Sequence, residues 1–155
     1  MDFDIRSLIM LLKEKGLRIS FAESLTGGMI SSGIVDIPGA SDVFDGAVVC
    51  YTNDVKMNVL GVPADIIDTY TEVSSECAEA MASGVRRLMS SDISVSVTGY
   101  ADGDNGGLVW IGCETDSHRA SYRLKFDGDR NEVRAATCRQ AYILIRALAE
   151  DHNVG

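Results

Sequence analysis

A chain of 155 residues with a 46% hydrophobic share is long enough to close one apolar core without disulfide or metal staples. Its formal charge of −9 argues against nonspecific binding to nucleic acid or to an anionic membrane, so an anionic ligand is expected to be small and held in a local basic pocket. No apolar run reaches membrane-helix length, and Met1-Asp2-Phe3-Asp4 is acidic where a signal peptide would be basic, which predicts a cytoplasmic protein forming a single domain over 1–155.

Leu8, Ile9, Leu11 and Leu12 recur at helical spacing between Arg6 and Lys15, and Gly16 supplies a stop. The alternating run 17–22 predicts a first strand, and 28–36 a second helix. Pro38-Gly39 breaks the chain before a second strand at Ala47-Val48-Val49-Cys50-Tyr51. Asn53 is expected to cap a short helix carrying Lys56, Met57 and Leu60, and Ser74 or Ser75 to cap the next, whose face holds Cys77, Met81, Val85 and Leu88. Ile93 to Thr98 reads as a third strand. Gly106 to Cys113 and Ser121 to Phe126 read as a hairpin turning at Asp116-Ser117, and Arg130 to Ala149 as a long terminal helix. Alternating strands and helices, then a hairpin, predict an α/β fold: a three-layer α/β/α sandwich on a mixed, mostly parallel sheet.

Cys50, Cys77, Cys113 and Cys138 are scattered, with no C-x-x-C pair, and are expected to be buried free thiols. The two histidines, His118 and His152, keep no metal-ligand spacing. Neither a metal site, nor a His-based triad, nor a cofactor is expected.

Ligands of open α/β sheets bind outside the carboxyl ends of parallel strands. The first strand brings Glu23, Ser24 and Thr26 to that edge, the second Tyr51, Asn53 and, a turn later, Lys56, and the third Thr98 and Gly99. Serine, lysine and tyrosine converging without histidine suggest a serine nucleophile whose proton passes to a lysine, with Tyr51 relaying it or holding the amine. A helix beginning near Gly27 and Gly28 would offer N–H groups to an oxyanion. Each residue also has a plainer reading as a helix cap, a solvated lysine or a strand-end hydroxyl.

Several ordered blocks stand out: Ala22-Glu23-Ser24-Leu25-Thr26-Gly27-Gly28, Asp36-Ile37-Pro38-Gly39-Ala40-Ser41, Tyr51-Thr52-Asn53 with Lys56, Leu60-Gly61-Val62, Val73-Ser74, Ser96-Val97-Thr98-Gly99 and Gly128-Asp129-Arg130. In this order they resemble the CinA carboxy-terminal domain family, which includes nicotinamide-nucleotide amidases. The resemblance implies a five-stranded sheet of anticodon-binding-like topology. It also implies metal-free hydrolysis of nicotinamide mononucleotide to nicotinate mononucleotide and ammonia in pyridine-nucleotide recycling. On the same ground Ser24, Ser41, Tyr51, Lys56, Thr98 and Arg130 fall at positions that look functional in the family. Either serine is a candidate nucleophile. Ser24 is favoured because Ser41 precedes the second strand whereas Tyr51 follows it, and the intervening strand would separate them by about 23 Å. Ser41 would reach the site only from a neighbouring subunit or a folded-back loop, and a homo-oligomer, in the first instance a dimer, is expected.

One stretch departs from the family pattern. Where relatives read Thr-Gly-Ile-Ala-Gly-Pro before a longer loop, this chain reads Thr98-Gly99-Tyr100-Ala101-Asp102-Gly103-Asp104, a shorter and more acidic loop. Asp102 and Asp104 are expected to oppose a phosphate unless Arg130 compensates. An amidase is therefore weighed against a nucleotide-binding or regulatory domain with impaired turnover. RNA binding by fold analogy conflicts with the acidic charge.

Overall fold

The computed structural model describes residues 3–152, so Met1-Asp2 of the acidic start and the last three residues of the expected 1–155 domain lie outside the described residues. The chain folds as α1 (Ile5–Lys15), β1 (Ile19–Glu23), α2 (Met29–Val35), a single 3-10 turn at Ala40–Asp42, β2 (Phe44–Val49), α3 (Asn53–Asn58), α4 (Ala64–Tyr70), α5 (Ser75–Met89), β3 (Ile93–Gly99), β4 (Leu108–Glu114), β5 (Arg119–Lys125) and α6 (Arg130–Asp151). The strands form one five-stranded sheet ordered β2-β1-β3-β4-β5. β1 runs parallel to both β2 and β3, while β4 and β5 continue antiparallel. The α/β/α class with a mixed sheet is the fold expected.

α5 covers one face of the sheet, and α1, α2 and α6 pack on the other. On the α1/α2/α6 side, Leu8, Leu12, Phe21, Ile30, Ile34, Val97, Ile111 and Ile145 form the larger core. The α5 side is thinner and partly polar. Ser94 Oγ donates to Ala82 O at 2.6 Å and Ser96 Oγ to Ala78 O at 2.5 Å, so the strand serines are satisfied by helix carbonyls. A Cβ on Gly112 would stand 2.3 Å from Ala78 O, so that position must be glycine for the helix to lie this close.

Three local expectations change. α4 is a helix in a stretch for which no element is expected; none of its seven residues is fully buried, so no apolar stripe announced it. β2 starts earlier than expected, at Phe44, and stops at Val49, leaving Cys50 and Tyr51 beyond its end. The cap of α3 is Thr52 rather than Asn53, its hydroxyl accepting from Val55 N–H at 3.4 Å. Ser74 caps α5, and Asp129 with Glu132 forms a capping box at the start of α6.

Candidate active site

The carboxyl ends of β1, β2 and β3 open onto a cleft of about 380 Å³. α5 and α6 both begin at this edge. α5 must run back to start the parallel β3, and β5 points the same way as β1, so the chain leaves it into α6 at the same end. Strand ends and helix starts therefore surround one opening.

At its floor, Lys56 Nζ donates to Ser24 Oγ at 3.2 Å. Ser24 lies immediately beyond β1, its N–H bound to Val97 O on β3 at 3.1 Å, which anchors the serine to the sheet. Lys56 projects from α3 and is 1% exposed, and its amine has no carboxylate within ion-pair distance among the described residues. The thiol nearest in sequence is not a competing nucleophile: burial pushes Cys50 up to about 12, and its Sγ rests on Glu23 O.

The walls come from the other elements. Thr98 is buried, its hydroxyl donating to Glu72 O at 2.7 Å and tying β3 to the segment before α5. Gly99 lines the cleft where β4 approaches, since a Cβ there would meet Leu108 O at 2.6 Å. Asn53 lines it from the first turn of α3. Across the mouth, Arg130 donates to Tyr51 Oη at 3.0 Å and pairs with Asp102 at 3.0 Å. Asp102, and then the Tyr51 hydroxyl, hold the guanidinium more firmly protonated than usual. Tyr51 thus meets Arg130 at the rim; the expected relay to Lys56 is corrected, because the phenol is 59% exposed and turned to the arginine.

Four expected ligand-binding residues stand elsewhere. Glu23 is adjacent to Ser24 and so faces the opposite way, toward the start of α2. Its Oε1 accepts from Thr26 Oγ1 at 2.8 Å, Gly28 N at 3.2 Å and Ile30 N at 2.9 Å, while Oε2 accepts from Ser31 N at 3.0 Å and Ser31 Oγ at 2.5 Å. Glu23, Thr26 and Gly28 therefore satisfy one another at the helix start. Gly27 donates to Ser24 O at 3.1 Å to close a tight turn, with φ +59. The N–H groups expected to meet an oxyanion are already engaged. Ser41 lies before β2, exposed, with its carbonyl accepting from Arg18 Nη2 at 3.2 Å, at the opposite end of the sheet from the cleft.

Glu72, Tyr100 and Leu25 also line the cleft and were not foreseen. Glu72 was open to inference, because a helix leading into a parallel strand starts at the carboxyl edge. Arg134 of α6 was missed as well. It donates through Nε to Leu25 O at 2.8 Å and through Nη2 to Thr26 O at 3.0 Å. Among the described residues, no group of three histidine, cysteine, aspartate or glutamate side chains is placed to hold a metal, and no helix is long and apolar enough to cross a membrane.

Known proteins share this fold. The profile of the CinA C-terminal domain family matches residues 4–149. A CinA-like protein of Dictyoglomus turgidum is 42% identical over 145 residues, 90% of this chain but 35% of that protein's length, so the chain spans only about a third of such relatives. Among solved structures, the competence/damage inducible protein CihA from Agrobacterium tumefaciens superposes with a TM-score of 0.90 at 34% identity, covering 93% of this chain and 92% of that one. A CinA superfamily protein from Klebsiella pneumoniae gives a TM-score of 0.91 at 26% identity, covering 97% of this chain and 100% of that one. With the family profile spanning nearly every described element and relatives above 40% identity, the chain belongs to the CinA C-terminal domain family.

Proposed function

We propose that this domain hydrolyses a carboxamide, and specifically that of nicotinamide mononucleotide, the substrate that the family resemblance implies. The observation that carries the reading is the buried Lys56 amine on the Ser24 hydroxyl at the floor of a cleft at the sheet's carboxyl edge. Ser24 Oγ attacks the amide carbon as its proton passes to Lys56, a step that requires the amine to be uncharged at that moment. The tetrahedral intermediate collapses, Lys56 returns the proton to the leaving nitrogen, and ammonia departs from a nicotinoyl ester on Ser24. Water then attacks the ester with Lys56 again taking the proton, releasing nicotinate mononucleotide. Leu25 N–H, beside the nucleophile on the cleft wall and donating to no protein atom among the described residues, supplies an oxyanion donor. Arg130 at the mouth suits the phosphate.

The test is ammonia and nicotinate mononucleotide production by the purified chain, with Ser24→Ala and Ser41→Ala beside it. Ser24→Ala is expected to abolish release, and Ser41→Ala to leave it within about twofold of the parent. Loss of activity in Ser41→Ala alone would move the nucleophile to that residue, delivered by a second copy. The Asp102–Arg130 pair favours one rival, a nucleotide-binding domain with impaired turnover, because the acid occupies the cation a phosphate would use. Nucleotide binding without ammonia release would select that rival.

A further inference from the structure

The turn that follows the nucleophile is held from outside the cleft. Ser24, Leu25, Thr26 and Gly27 form a tight turn closed by Gly27 N–H on Ser24 O at 3.1 Å. In such a turn the central peptide, here Leu25–Thr26, can point either way: the two common turn types differ mainly by rotation of that one unit. Arg134 Nε takes the carbonyl of that peptide at 2.8 Å, and Nη2 takes the next carbonyl, Thr26 O, at 3.0 Å. Thr26 O also accepts from Met29 N at 3.0 Å, so the second carbonyl has another tether, whereas Leu25 O has none among the described residues. Arg134 meets no carboxylate within ion-pair distance among them either; its third nitrogen, Nη1, rests on Asn131 Oδ1 at 3.0 Å. Its charge is directed at two backbone carbonyls.

Resting on the amidase reading above, we propose that Arg134 is a positioning residue for the Ser24–Lys56 pair, acting by holding the Leu25–Thr26 peptide in one orientation. Because a peptide's N–H lies opposite its carbonyl, fixing Leu25 O fixes Thr26 N–H on the other side, and rotation would exchange that donor for an acceptor one residue from the nucleophile. A cation on the carbonyl also polarises the peptide. Arg134 does not line the cleft, so substrate contacts survive its loss. Lysine would supply the charge but not the fork that spans two carbonyls.

The experiment compares the parent with Arg134→Ala, Arg134→Lys and, as a control on the same helix, the exposed Arg139→Ala. Ammonia release from nicotinamide mononucleotide gives kcat and KM, and the acylation burst with p-nitrophenyl acetate reports Ser24 reactivity without relying on the natural substrate. Arg134→Ala is expected to lose on the order of 100-fold in kcat with KM within about twofold. Its acylation rate should fall in parallel, guanidinium ion should partly restore both rates, and Arg139→Ala should behave as the parent. An unchanged kcat in Arg134→Ala overturns the proposal, as does a loss of kcat that guanidinium does not restore. If the parent shows a Ser24-dependent burst but releases no ammonia, the substrate assignment fails while the burst rates still decide the role of Arg134. If the parent shows neither, the amidase reading fails and the proposal goes with it.

Discussion

Lys56 Nζ stands 3.2 Å from Ser24 Oγ, joining the segment after β2 to the end of β1 beneath the protein surface. A buried amine with one neutral partner contributes little to stability, since desolvation opposes it and no carboxylate offsets the cost. Lys56→Met, which replaces the amine by an apolar chain of similar length, is therefore expected to keep or raise the urea midpoint. Ammonia release should fall at least about 100-fold. Undiminished release would end the Ser–Lys mechanism, and a collapse of the midpoint would show that the amine is structural.

The ion pair at the cleft mouth predicts a charge-dependent affinity. Asp102→Asn should free Arg130 and tighten nicotinamide mononucleotide binding several-fold at low salt, with the gain shrinking as salt screens the acid. Asp104 does not line the cleft, so Asp104→Asn should change little. Titration calorimetry of both variants at two salt concentrations tests this. Equal behaviour of the two variants would place the phosphate away from Arg130.

Glu23 makes a stability prediction distinct from catalysis. Five donors converge on its two oxygens, and an amide at that position would set NH₂ against donors on one side. Glu23→Gln is expected to cost about 2–4 kcal/mol in urea denaturation. A loss under about 0.5 kcal/mol would mean that the carboxylate is not what holds α2 in place.

The cysteines give a pH dependence with a definite sign. Burial raises Cys50 from 9.0 to about 12 and Cys77 and Cys138 to about 11. Unfolded thiols begin to ionise near 9.0 while the folded ones keep their protons, so ionisation favours the unfolded chain. Stability should be full below pH 9.0 and decline as pH rises toward 11 to 12. Cys50→Ala should flatten that decline. Urea midpoints across the range check it, and an unaltered slope in the variant would assign the alkaline loss to other groups.

Much of this was legible in residue patterns, and the omissions have physical reasons. The sheet's carboxyl edge could be located because Ser24, Tyr51 and Thr98 each stand at or just past the end of a recognisable apolar strand. The strict alternation of strand side chains, applied one residue further, would also have turned Glu23 away from Ser24. α4 has no fully buried residue, and its half-buried Ile66 and Ile67 are adjacent in sequence, so no helical apolar stripe marks it. Arg134 resembles any half-exposed helix arginine until the start of α6 is set against the turn after β1, a contact between residues 109 positions apart. Long-range closeness of that kind has no local signature.

β1 is flanked by parallel partners on both sides, and all five of its residues are buried. Hydrogen exchange at Ser24 N–H and at Cys50 N–H, bonded to Val97 O and Glu23 O, should then require opening of the whole sheet, whereas the exposed amides of residues 102–105 should exchange through local excursions. The cleft consequently has one wall that shares the global stability of the fold and another that breathes by itself. A ligand seated between them should slow exchange on the second wall while leaving the first unaltered.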